Sequence, residues 1–203
     1  ISGIAAVLLK LGIARLGSMR ISAAQQAPAW LLLPAVGLIG GLLTGLLVQT
    51  FAPETSGTGI PQVKAALGGV RISLSFRVAF VKLVTTMLSV GSGLTLGRQG
   101  PTVQIGASLA AWIGNWIPTS PNYRRQLIAC GAAAGLAAGF NAPIAGVLFV
   151  VEELLHDVSG VTLGPAIVAS FVGAVVSQWF GGQGVSLLAD TSQIPGFLSW
   201  KEI

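Results

Sequence analysis

The sequence predicts an all-α integral membrane protein with broken and re-entrant helices. Three observations lead to this prediction: an apolar composition, long tracts without charge, and glycine–proline breaks inside those tracts. Hydrophobic residues make up 53% of the chain and charged residues 8%, against about 25% charged residues in a typical soluble domain. We therefore expect a multi-pass protein in contact with membrane lipid.

The uncharged tracts set the scale of the membrane segments. They cover residues 21–53, 83–97, 99–123, 126–151 and 158–189. Some are short or interrupted when compared with the ~20 residues that a spanning helix needs. Because unpaired backbone groups are not tolerated against lipid, each interruption must be buried in protein or line a watery cavity. The pattern predicts helices that begin and end within the membrane.

A first helix start of this kind is the run Gly57-Thr58-Gly59-Ile60-Pro61. Proline at the beginning of a helix sacrifices no needed donor, and the preceding glycines permit a sharp turn. The free amide groups of a helix start attract anions. Thr58, Gly59, Ile60 and Pro61 are therefore candidate anion-binding residues, although the Thr58 hydroxyl could instead act only as a helix cap.

A second helix start is the run Gly97-Arg98-Gln99-Gly100-Pro101, which predicts a helix from residue 101. Two inward-pointing starts predict one shared anion site. Arg98, Gln99, Gly100 and Pro101 are candidate gate residues at its opening. Arg98 either raises the positive potential there or pairs with backbone carbonyl groups.

Small residues predict where helices pack closely. Glycine recurs every four residues in two series, which places each series on one helix face. The series are Gly37, Gly41 and Gly45, and Gly131, Gly135 and Gly139. We expect close helix contacts along both faces.

The net charge of +5 does not indicate nucleic-acid binding, because the basic residues are scattered and are not interleaved with stacking aromatic residues. Membrane topology explains them better. Lys64, Arg71, Arg77 and Lys82 flank the connection 68–76, which the positive-inside tendency places in the cytoplasm.

The helix pattern includes a further break at Asn141-Ala142-Pro143, which divides what would otherwise be one long helix. Broken helices favour a transport pathway. The predicted helices lie near 2–17, 28–51, 60–68, 75–93, 101–116, 123–138, 143–156 and 164–180.

Five motifs together resemble the CLC family of chloride channels and proton-coupled chloride transporters. They are Gly57-Thr58-Gly59-Ile60-Pro61, Gly97-Arg98-Gln99-Gly100-Pro101-Thr102-Val103-Gln104, Gly131-Ala132-Ala133-Ala134-Gly135, Phe140-Asn141-Ala142-Pro143 and Glu152-Glu153. Their order and approximate spacing are those of the family, which makes the combination far more specific than any one motif.

The resemblance implies a homodimer in which each subunit has its own anion pathway, built from two inverted repeats. Residues 1–203 correspond to the N-terminal half of the transmembrane domain. We expect this sequence to be a fragment that lacks the second repeat. Chloride is the expected bound substrate, with no cofactor and no nucleic-acid partner.

The resemblance also assigns roles to individual residues. Thr58 occupies the position of a serine that coordinates the central anion in chloride-selective members, and a threonine hydroxyl can donate the same hydrogen bond. Gln99 stands where the family usually has a gating glutamate. A glutamine amide does not titrate, so it mimics the protonated, permissive gate.

Glu153 matches the second carboxylate of the glutamate pair, which relays protons in the exchangers. Its neighbour Glu152 lies on a different helix face. A purely interfacial role for both carboxylates stays open, since His156 and Asp157 mark a nearby polar boundary.

The predicted function is therefore chloride transport that is channel-like or uncoupled because of Gln99. Two alternatives remain: a proton-coupled antiporter altered at the gate, and a membrane scaffold subunit that does not transport. Enzymatic activity is not expected. A metalloenzyme using Glu152, Glu153 and His156 would need a second such motif, and the chain has no other histidine.

Overall fold

Every regular element in the described part of this computed structural model is helical. The structure describes residues 1–26, 29–70, 72–117, 120–155 and 160–181. The helices are α1 (Ser2–Gln26), α2 (Ala29–Phe51), α3 (Ile60–Leu67), α4 (Phe76–Gly91), α5 (Gln99–Gly114), α6 (Pro121–Phe140), α7 (Pro143–Phe149) and α8 (Gly160–Gly181). A 3₁₀ turn, Pro53–Thr55, precedes α3, and a π-helical turn, Val150–Leu155, extends α7.

The centre of the fold is the contact between α5 and α6. Both helices are rich in glycine and alanine, and their backbones approach each other closely. A methyl group added at Gly106 would overlap the carbonyl oxygen of Gly131, and one added at Gly135 would overlap that of Thr102. This confirms the predicted packing face on α6. Because no side chain intervenes, dispersion contacts form between the two backbones themselves.

The predicted packing face on α2 is wrong. An added methyl group at Gly45 would meet nothing within 4 Å, and at Gly37 and Gly41 it would make only ordinary contacts. The close approach is one position away, where Gly40 packs against the side chain of Ser92 at the end of α4. The four-residue spacing identified a helix face lined with small residues, but this is not the face of α2 that packs against another helix.

The break between α6 and α7 occurs where the sequence predicts it. Asn141 has a left-handed backbone with φ of 57°, and it ends α6. The amide of Ala142 then donates to the carbonyl oxygen of Ala137 over 3.2 Å, which satisfies one of the free carbonyl groups at the helix end. Pro143 starts α7 immediately afterwards.

Several helices are shorter than a membrane crossing requires. α3 has 8 residues, α4 and α5 have 16 each, and α7 has 7, whereas a straight crossing takes ~20. By length and composition, two helical segments of the described chain are suited to span a membrane: Trp30–Phe51 and Thr162–Gly181. The short helices therefore fit the expected re-entrant architecture.

Candidate functional site: two adjoining helix starts

The first helix start is a tight loop that ends at α3. Gly57 and Gly59 adopt left-handed backbone conformations, with φ of 72° and 96°, which cost glycine little and other residues more. Gly59 is the residue that precedes α3, and Pro61 lies in its first turn. Thr58, between the two glycines, is exposed. The amide groups at this start have no partner inside the helix.

Three carbonyl groups in or next to the loop accept hydrogen bonds from buried side chains. Lys82 on α4 donates 2.7 Å hydrogen bonds from Nζ to the carbonyl oxygens of Thr55 and Gly57. Gln104 on α5 donates from Nε2 to the carbonyl oxygen of Glu54 over 2.9 Å. Lys82 and Gln104 are both buried, at 4% and 0% exposure. Because the carbonyl oxygens of Thr55 and Gly57 are bonded to a buried ammonium group, they present less negative charge beside Thr58.

The position of Lys82 corrects the sequence-based interpretation. We expected a topological charge near the cytoplasmic connection, but its ammonium group is in the protein interior. A charged residue inside an apolar helix was itself the available signal, since such residues usually mark a functional path. Of the other residues in that predicted basic group, Arg77 is exposed, and Arg71 lies outside the described residues.

The second helix start begins two residues earlier than predicted. α5 starts at Gln99 rather than at Pro101, so Gln99 and Gly100 belong to its first turn. Thr102 stabilises this turn with two hydrogen bonds. Its amide donates to the carbonyl oxygen of Arg98 over 3.2 Å, and its hydroxyl donates to the carbonyl oxygen of Gln99 over 2.8 Å. Gln99 is exposed and Arg98 is half-buried.

The two helix starts adjoin. A methyl group added at Gly100 would overlap the carbonyl oxygen of Thr58, and one at Gly59 would overlap the side chain of Gln104. The fold thus brings the candidate anion-binding residues and the candidate gate residues to one place. Each helix start carries a partial positive charge of roughly half a unit, and the two charges reinforce each other there.

A second cation accompanies Arg98. Lys10 on α1 is close enough for the two charges to interact. Its Nζ donates to the carbonyl oxygen of Ala138 over 2.8 Å and to the hydroxyl of Ser177 over 3.1 Å. Sequence reasoning missed Lys10, which lies 88 residues before Arg98 and belongs to no motif. Together they add positive potential near the start of α5.

The structure places Glu153 on the π-helical turn, and not among the residues at the two helix starts. Its Oε1 lies 2.9 Å from Nζ of Lys64, in the last turn of α3. Glu152 is exposed. Among the described residues, no group of three or more His, Cys, Asp or Glu side chains is placed to hold a metal ion, and His156 lies outside those residues.

Comparison with known proteins agrees with this architecture. Residues 40–200 match the family model described as voltage gated chloride channel. The H(+)/Cl(−) exchange transporters ClcA of Salmonella arizonae and Salmonella paratyphi B are each 41% identical to the chain over 160 residues. That match covers 76% of this chain and 34% of the relative, so the chain spans about a third of the length of these curated relatives.

Solved structures show the same fold. A slow cyanobacterial Cl−/H+ antiporter matches with a TM-score of 0.80 and 34% identity, over 90% of this chain and 45% of the antiporter chain. A eukaryotic CLC transporter matches with a TM-score of 0.78 and 26% identity, over 87% of this chain and 36% of its own. The chain therefore belongs to the voltage gated chloride channel family and has the helical fold of the CLC transporters, which are integral membrane proteins.

Proposed function

We propose that this chain provides part of a chloride pathway through a membrane. The observation that carries the proposal is the contact between Gly100 and the backbone of Thr58, which sets the starts of α3 and α5 side by side. An anion at this place would be stabilised by fixed amide dipoles in exchange for its lost hydration. Transport of this kind needs neither covalent chemistry nor a cofactor.

Thr58, Gly59, Ile60 and Pro61 form the anion-binding start in this proposal. Thr58 is an exposed residue between two left-handed glycines, and its side chain carries a hydroxyl group that can donate a hydrogen bond. The buried ammonium group of Lys82 stands behind the same loop and adds favourable electrostatic potential. These features favour an anion over a cation as the transported ion.

Arg98, Gln99, Gly100 and Pro101 form the gate in this proposal. Gln99 is exposed in the first turn of α5, at the junction with the Thr58 loop. Its amide is neutral at every physiological pH, so it neither competes with chloride nor carries a proton. Chloride then moves without obligatory proton exchange. The alternative is a proton-coupled antiporter altered at this position, in keeping with relatives described as exchange transporters.

We also propose that the chain forms one of two inverted repeats of a multi-pass protein that assembles as a homodimer in lipid. The chain covers 34% and 45% of two relatives, which supports its assignment as one of two repeats. The exposed apolar face of α8 supports the second, since such a face needs lipid or a partner helix. Its residues include Val168, Phe171, Val175 and Trp179.

The test is flux from liposomes that contain the complete natural protein in which these residues occur. Chloride and proton movements are recorded together for the protein and for Gln99→Glu. Gln49→Glu, at an exposed position near the end of α2, controls for an added carboxylate. We expect chloride flux without protons for Gln99 and for the control, and proton exchange in Gln99→Glu.

Each other outcome is informative. Chloride flux without protons in both Gln99 and Gln99→Glu would indicate a channel-like conductor in which the gate charge does not establish coupling. Proton exchange in the unaltered protein would show that Gln99 does not uncouple transport. Absence of chloride flux in all of them would reject the pathway and favour the scaffold subunit.

A further inference from the structure

An ion pair joins helix α3, which begins at the proposed anion site, to Glu153, the carboxylate that the family resemblance assigns to proton movement. Nζ of Lys64 lies 2.9 Å from Oε1 of Glu153, although the two residues are 89 positions apart. Lys64 is in the last turn of α3, and Glu153 is on the π-helical turn that follows α7. The side chains are 36% and 47% exposed, so protons have access to the pair.

Helix α3 connects the Thr58 loop to Lys64. It has 8 residues, which corresponds to about 12 Å, and Gly59 alone separates its first turn from Thr58. Val63 and Leu67 are buried in the main core, at 0% and 3% exposure. A short helix held by its apolar face moves as one piece, so a force on Lys64 also acts on the loop at Thr58.

Among the titratable groups on the described elements around Glu153, Lys64 forms an ion pair with it. The π-helical turn packs against α3, α6 and α7. Helix α7 contains no titratable residue, and Lys64 is the one titratable residue of α3. The remaining titratable groups on these described elements are Tyr123, Arg124, Arg125 and Cys130 on α6, with Glu152 on the turn itself. Arg124 and Arg125 lie near the start of α6, where both are exposed.

We infer that Lys64 is a positioning residue that fastens the charged form of Glu153 to the helix beginning at the anion site. Protonation of Glu153 removes the attraction between the two side chains, while Leu67 keeps the last turn of α3 in the core. Proton uptake and the geometry at Thr58 are then linked through one short helix, and the linkage is reciprocal. This inference rests on the proposed function for its consequence, but the ion pair can be tested independently.

The test uses infrared spectroscopy of the complete natural protein in liposomes, with three variants. Glu153→Gln identifies the carbonyl band of the protonated Glu153 carboxyl by subtraction. Lys64→Met removes the cation, and Lys64→Arg keeps it. A neighbouring cation at a partly exposed site favours the ionised carboxylate, so we expect the band in Lys64→Met to appear at a pH higher by roughly half to one unit. Lys64→Arg should leave the midpoint unchanged.

Chloride affinity, measured over the same pH range, tests the linkage. We expect it to change through the protonation midpoint in the unaltered protein and in Lys64→Arg, and to lose that dependence in Lys64→Met. An infrared midpoint that is the same with Lys64 and with Met would overturn the ion-pair role. If chloride affinity does not change through the protonation midpoint in any of these proteins, the linkage between Glu153 and the anion site is overturned. A protein that neither binds nor moves chloride would reject the proposed function, while the infrared result would still decide the ion pair.

Discussion

Lys82 Nζ and the carbonyl oxygen of Gly57 lie 2.7 Å apart, so a buried cation stands directly behind the residue that precedes Thr58. This contact connects α4 to the loop of the first helix start. It fixes the direction of a carbonyl group that would otherwise be free to turn toward an anion. The electrostatic character of the site therefore depends on a residue that has no place in the glycine–proline motifs.

Replacing Lys82 with methionine should weaken chloride binding by about ten-fold or more. The substitution preserves the length of the side chain but removes a charge and two hydrogen bonds, and hydrogen bonds to charged groups contribute about 1.5–3 kcal/mol. Isothermal titration with chloride provides the measurement. Arg77→Met removes an exposed charge from the same helix and should have little effect. Equal affinities in the two variants would contradict this prediction.

Thr58→Ala should weaken chloride binding by about five-fold, the equivalent of one hydrogen bond of about 1 kcal/mol. Thr58→Ser retains the hydroxyl group and should bind chloride as well as the unaltered protein. If the alanine and serine variants bind equally, the hydroxyl serves only the local backbone. Flux assays with both variants distinguish a change in binding from a change in transport.

Gly100→Ala should disrupt the junction of the two helix starts. The new methyl group would overlap the carbonyl oxygen of Thr58, which is backbone and cannot rotate away. Overpacking of this kind typically costs about 1–3 kcal/mol, and here it also displaces the loop that we propose to bind the anion. We expect a lower thermal unfolding temperature and a loss of chloride flux. Gly97→Ala, where the added group meets nothing within 4 Å, is the matched control.

Gly106→Ala should destabilise the α5–α6 contact by about 1–3 kcal/mol, because its methyl group would overlap the backbone of Gly131. Gly45→Ala, within α2, has open space and should be neutral or stabilising by up to about 1 kcal/mol, through its better helix propensity. Thermal unfolding of both variants in the same detergent tests the contrast. Similar unfolding temperatures would argue against backbone packing as the basis of this contact.

The helix starts at α3 and α5 were predictable because their requirements are local. A left-handed backbone before a helix favours glycine, and proline suits only the first turn, so Gly59 and Pro61 mark a start whatever surrounds them. The start of α5 was placed two residues late, at Pro101 instead of Gln99. Thr102 completes that turn by bonding back to Arg98 and Gln99, and the preference of proline for the first helical position takes no account of these bonds.

Packing was only partly predictable. The glycine series on α6 met a partner helix, and the series on α2 did not, although the two have the same spacing. The four-residue spacing of glycines establishes only that a helix face is lined with small residues. Which smooth face is covered depends on where the rest of the chain brings a second helix.

The sequence by itself determined the membrane environment, the helical fold class and the approximate positions of the two glycine–proline helix starts, because composition and backbone preference act over a few residues. Only the tertiary structure decided that Gly100 adjoins Thr58, that Lys82 and Gln104 hold the loop carbonyl groups, and that Lys64 pairs with Glu153. These contacts join residues 25 to 89 positions apart. Their geometry follows from how the helices pack, and no local pattern encodes it.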